Sequence, residues 1–220
     1  KNGNLHRTQN KLAQKSLFAL HNLFIVSNQI EWDIQLKLKL IDSLVGSILN
    51  YGAEIIFNTQ STDIEKVHCK FLRKILGVRK STNLDAIFGD LGVYPMKAYR
   101  KIIAIRYWIK TLKLNTNSLM KRMYNVLKED ANNNISYADI NWAYQIKKLL
   151  GKLGLMNLRI NQDTYKITFQ TKKIRILYIF RQEVFMNRYS NINNSSRLST
   201  YSLYKHEFEF EEYLKHMYTC

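Results

Sequence analysis

The cations are the residues here whose type and spacing best suit a chemical task. Lys66, Lys70 and Arg73 recur at helical spacing within DIEKVHCKFLRKILGVRKST, and Arg79 and Lys80 follow directly after Gly77. A further group runs along the chain as Lys97, Arg100, Lys101, Arg106, Lys110 and Lys113. Side chains of this kind hold phosphate oxygens by charge and hydrogen bonding, and they perform no bond-making step themselves. Residues that would perform one are poorly placed. Tyr137-Ala138-Asp139 offers a carboxylate, but Ile140 follows it, so the paired carboxylates needed to hold two Mg²⁺ ions are missing. Asp139 reads instead as the start of a helix. His68 and Cys69 are neighbours, so on a helix they point about 100° apart and do not chelate one ion. His216 and Cys220 share a face at i, i+4 but lack the other two ligands of a zinc site. No Gly-rich phosphate loop occurs; Gly89 and Gly92 in FGDLGVYP suit a tight connection before Pro95. The sequence therefore predicts no catalytic residue, no metal site and no cofactor.

The elements that carry the cations read as helices. Asp33 is a cap for a long helix on which Ile34, Leu38, Ile41, Val45, Ile48 and Ile55 share one side. Ser61, Thr62 and Asp63 offer a second N-cap, with Glu65 in the first turn where the helix dipole favours an acid. On that helix Ile64, Val67, Phe71 and Ile75 face inward, opposite Lys66, Lys70 and Arg73, and Gly77 stands where a left-handed C-cap is expected. Pro95, the single proline, suits the first turn of a helix from Met96 to Leu114 with Ile105, Trp108, Ile109 and Leu112 on its apolar side. Ser118 caps Leu119 to Lys128, Glu129 to Ser136 is a polar linker, and a further helix ends at Gly154. Thr164 to Tyr189 is read as helix despite some alternation, Ser190 to Ser196 as loop, and Thr200 to Met217 as one or two short helices. The fold class is all-α, a multi-helix bundle in two helical subdomains.

Composition points to the partner. Lys and Arg number 34 against 17 Asp and Glu, a formal net charge of +17, and hydrophobic residues make up 46% of the chain. The chain is thus a globular one drawn to polyanions. The charge is blocked: no acid interrupts Asp90 to Glu129, Asp139 to Asp163, or Asp163 to Glu183. A phosphate backbone uses such runs best. Tyrosines lie beside cations at Tyr99, Tyr107, Tyr124 and Tyr178, although each one singly is better read as packing a helix interface. Two cysteines form no framework, which suits a reducing, intracellular setting in cytoplasm and nucleus, and no signal peptide or bilayer-length apolar run is visible, so no membrane partner is expected.

Four phrases carry a resemblance: AQKSLFAL at Ala13 to Leu20, QLKLKLIDSLVGSILNYGAEI from Gln35, IEKVHCKFLRKILGVRKST from Ile64 to Thr82, and FGDLGVYP from Phe88 to Pro95. With SSRLSTY and KHEFEFEEYL downstream, they resemble the region after the palm in reverse transcriptases of non-LTR (LINE-type) retrotransposons, over most of the chain and in order. The resemblance implies a thumb-like helical region at 1–128, a linker at 129–136, and a helical region at 137–220 leading towards a zinc knuckle that lies beyond it. It implies a piece of a longer polyprotein, with the catalytic palm upstream. The expected partners are RNA and an RNA–DNA hybrid (template–primer), together with that polymerase palm domain. The parent family is an RNA-directed DNA polymerase, whereas this chain lacks the palm carboxylates and is expected to be inactive alone. A free-standing basic helical nucleic-acid-binding protein, or an inert relic whose helices only pack, fits the same residues.

Overall fold

The computed structural model describes residues 5–27, 32–58, 62–133, 141–156, 182, 186–187, 189–205 and 209–215. Among them every regular element is helical, and the one extended pairing is an isolated bridge between Leu91 and Phe210. The helices are α1 (Leu5–Ser27), α2 (Ile34–Ile41), α3 (Ser47–Leu49), α4 (Ala53–Ile56), α5 (Thr62–Ile75), α6 (Leu84–Asp90), α7 (Met96–Leu112), α8 (Leu119–Asn133), α9 (Trp142–Lys152) and α10 (Ser199–Tyr204). The chain forms two compact units, one of Lys1–Tyr51, Thr59–Tyr99 and Glu183–Cys220, the other of Gly52–Asn58 and Arg100–Gln182.

In the first unit α1 and α5 enclose an apolar core with α2, α3 and α6. Ile34, Ile41, Val45 and Leu49 are fully buried there beside Ile64, Leu72, Ile87 and Phe88. Asp33 caps α2 as its sequence position predicts, its carboxylate accepting from the Gln35 N–H at 3.2 Å. The single long helix expected beyond it is interrupted. Asp42–Gly46 forms a π turn, and the chain then turns through Gly52 (φ 68°) before α4. The wider π turn keeps an i, i+4 series in register, so Leu49 rather than Ile48 reaches the core, and Ile55 is left 61% exposed.

On α5 the inward set is Ile64, Val67, Phe71, Leu72 and Ile75, joined by buried His68 and Cys69. Its end is a Schellman closure: Val78 N–H donates to Arg73 O at 3.0 Å and Gly77 N–H to Lys74 O at 3.3 Å, with Gly77 at φ 65°. Glu65 does more than meet its own helix dipole. Its carboxylate accepts from the Met96 N–H at 3.3 Å and the Lys97 N–H at 3.2 Å, so it caps α7, which is 31 residues away. Burial alone would raise the Glu65 carboxyl pKa. His68, whose Nδ1 lies 3.7 Å from the carboxylate, and those two N–H groups outweigh it and hold the carboxyl below its ordinary value of 4.5. A carboxyl lowered in the folded state stabilises above the unfolded value, and that gain is lost as pH falls. Glu65→Gln is therefore expected to lower stability at neutral pH by about 1 kcal/mol. It should also weaken the acid sensitivity expected as pH falls below 4.5. Urea titrations of both proteins across that range check this.

The C-terminal stretch of the first unit fastens back onto α6. The Tyr201 hydroxyl donates to Asp90 Oδ1 at 2.5 Å, Glu211 N–H donates to Asp90 O at 2.8 Å, and Leu214 is 1% exposed in the core. The close approach depends on Gly92, at φ 60°, where a Cβ would lie 2.7 Å from the Phe210 nitrogen. The stretch Ser190 to Ser196, expected as loop, is helical over residues 189–193, and Ile192 is 2% exposed. That buried isoleucine orders an otherwise polar run.

The second unit is built on aromatic residues. Trp108, 1% exposed, donates its Nε1–H to the Tyr124 hydroxyl at 2.9 Å, and Tyr124 and Tyr107 each meet Trp142 edge-on at 6.1 and 5.8 Å. Trp142 Nε1–H in turn donates to Glu54 O at 2.9 Å. α9 begins on Asn141, whose Oδ1 accepts from Tyr144 N–H at 3.0 Å while its Nδ2 donates to Leu127 O at 2.9 Å. α8 runs on through Asn133, so the first part of the expected linker 129–136 is helical, with Ala131 buried. The rest of that linker, Tyr137 to Asp139, and most of the helix expected at Thr164 to Tyr189 lie outside the described residues.

Candidate nucleic-acid interface

The predicted cations fall into one set in each unit. In the first unit, Lys66 and Lys70 stand exposed on the face of α5 opposite its core residues. Lys66 reaches Asp63 at 3.1 Å, an exposed pair of the kind that is worth little in water. Arg73, next on the same face, is half-buried; its Nη2 lies 3.5 Å from Thr82 O, and its buried Nε has no hydrogen-bond partner. The Schellman turn reverses the chain directly after it and leaves Arg79 and Lys80 exposed. Lys97 is exposed at the start of α7, where the Glu65 carboxylate fixes its backbone. The local fold therefore presents the cations of a helix face and of the turn after it, with rigid backbone behind both.

In the second unit Arg106, Lys110 and Lys113 are exposed at helical spacing along α7, and Lys101 is half-buried. Arg100 differs from the others. It is 2% exposed, and its Nη2–H donates to Ile56 O at 3.1 Å, at the end of α4. Burial lowers the Arg100 pKa, and the Glu54 charge partly offsets that. A cation over the last carbonyls of a short helix is a structural cap, so Arg100 is not available to a phosphate. Arg100→Met should cost about 1–3 kcal/mol through the orphaned carbonyl and leave the salt dependence of polyanion binding unchanged. Urea unfolding and binding titrations of one preparation read both. Lys121, in an acid-free block of the sequence, is likewise engaged: its Nζ donates to Leu112 O at 3.0 Å, at the end of α7.

The tyrosines that sit beside cations in sequence are mostly interior. Tyr124 is buried, Tyr107 packs on Trp142, and Tyr99 meets Tyr94 edge-on at 6.2 Å. Among the described residues they assemble no base-stacking platform, and the packing reading holds for Tyr99, Tyr107 and Tyr124, while Tyr178 lies outside the described residues.

A polar cluster in the first unit had no signal in the sequence. Asp90 lies between the Tyr201 and Tyr213 hydroxyls, and the buried Lys205 pairs with the Glu211 carboxylate and donates to Glu209 O at 3.0 Å. Burial raises the Asp90 carboxyl pKa, outweighing the two hydroxyls and Lys205. Burial, with Asp90 beside them, raises both phenols far above the ordinary tyrosine value. The phenols therefore stay protonated and serve as donors, which makes the cluster a fastening for the C-terminal stretch. Its residues come from FGDLGVYP and from SSRLSTY with the sequence after it, so two distant stretches of the chain meet here. Only their separate wording was legible, because nothing in one sequence announces a contact across 111 positions.

Among the described residues no group of three or more His, Cys, Asp or Glu is arranged to hold a metal ion, and no helix is long and apolar enough to cross a membrane. His216 and Cys220 lie outside the described residues. No family model, curated protein or solved structure matches the chain. The class that fold and composition define is a strongly basic all-α protein.

Proposed function

We propose that the chain holds nucleic acid without acting on it, as the thumb and post-thumb part of a non-LTR retrotransposon reverse transcriptase. The observation that carries this reading is the set Lys66, Lys70, Arg79, Lys80 and Lys97, exposed on capped helices and a closed turn. Together with the ordered family-like phrases, it suits contact with the sugar–phosphate backbone of an RNA–DNA hybrid or a structured template RNA. Recognition rests on charge and helix shape and is independent of sequence. Lys101, Arg106, Lys110 and Lys113 extend the same chemistry along α7. Arg73 supports the turn from behind, and Arg100 takes no part. The palm carboxylates are contributed by a separate upstream domain, so this chain alone extends no primer.

A fluorescence-anisotropy titration with a labelled RNA–DNA hybrid tests the reading. Binding that is indifferent to base sequence supports it. Absence of binding at low salt favours a relic whose helices only pack, and primer extension by the chain alone would contradict the non-catalytic role.

A further inference from the structure

The helix α8 has a second apolar side that the described residues of its own unit do not cover. Tyr124 and Ala131 turn inward, yet Leu119, Met123 and Val126 are 69%, 57% and 58% exposed. Their spacing of four and three residues is that of a coiled-coil seam, which exposed Asp130 ends. One flank of the seam faces the unit itself, where Met120 Sδ lies 3.5 Å from the Tyr107 hydroxyl. The other flank carries Arg122 and Glu129, both exposed and one heptad apart, and no described residue covers it.

We propose that α8 is a self-association surface that pairs antiparallel with α8 of a second copy. The charge pattern selects that occupant and that direction. In an antiparallel pair the open flanks adjoin with the heptads reversed, so Arg122 of each copy meets Glu129 of the other, twice by symmetry. Met123 and Val126 of one copy then cover Val126 and Met123 of the other. A parallel pair would set Arg122 against Leu127, with no complement. The seam spans only about two turns, so the dimer is weak and forms in a concentration-dependent way. This inference does not rest on the nucleic-acid reading.

Sedimentation velocity of the full chain from micromolar to millimolar concentration tests it, with exposed-site variants that leave the core untouched. Wild type is expected to shift from monomer to dimer. Met123→Lys should weaken the dimer about 100-fold, since both copies lose an apolar contact and gain a buried charge. Arg122→Glu and Glu129→Arg should each weaken it about 10-fold, because each sets like charges together at two symmetric places. Mixing those two single variants should restore association as a heterodimer, as should combining both changes in one chain. A monomer at every concentration overturns the proposal, and so does association that ignores these substitutions or is not rescued by mixing.

Discussion

A chain in which Lys70, Arg79, Lys80 and Lys97 are all replaced by Glu is expected to bind an RNA–DNA hybrid about 100-fold or more weakly than wild type. All four side chains are exposed, and none belongs to either core. Each Lys or Arg on a phosphate releases roughly one counterion, so the log–log salt slope should fall by about four. Stability should hardly change, because surface substitutions away from caps and cores usually lie within about 0.5 kcal/mol. The contrast with Arg100→Met gives the comparison its force: that change should cost stability and leave the slope alone. Paired anisotropy and urea titrations read both quantities. If the quadruple variant bound as tightly as wild type, these cations would be a solvated face and the interface would have to be sought elsewhere.

Trp108→Ala is expected to have the largest effect on stability. Trp108 is 1% exposed, and its Nε1–H is held by the Tyr124 hydroxyl at 2.9 Å. Removing the indole opens a large cavity and strands that hydroxyl, for a loss of about 3–5 kcal/mol. Trp108→Phe keeps a ring and loses only the donor and part of the volume, so it should cost about half as much. Urea unfolding followed by circular dichroism separates the two. Equal losses would mean that the hydrogen bond, rather than the packed volume, dominates. Because the second unit consists of Gly52–Asn58 and Arg100–Gln182, its stability should depend on this position more than that of the first unit does.

The α5 hairpin was legible almost residue by residue, because its signals are local. Core spacing, the first-turn acid and the glycine after the last turn all act within a few residues, and the structure has the buried stripe and the Schellman closure where they point. α2 was legible only to Ile41. A π turn carries no compositional mark, so the phase shift that buries Leu49 and exposes Ile55 could not be read. Arg100 shows the matching limit among the candidate cations. At the sequence level it is one more positive charge in an acid-free run, and only the position of the Ile56 carbonyl makes it a cap. The same holds for Glu65, whose role on α7 depends on a contact 31 residues away. Long-range partners of polar groups are set by tertiary geometry, to which hydrophobic period is blind.

The most direct test of the central claim is the affinity of the intact chain for a labelled RNA–DNA hybrid, measured over a series of salt concentrations. The proposed face offers Lys66, Lys70, Arg79, Lys80 and Lys97, so the account predicts a straight log–log plot with a slope of about −4 or steeper. Hybrids of unrelated sequence should fall on the same line. A flat plot, or no binding at low salt, would contradict phosphate holding and leave a basic helical protein whose helices serve only to pack.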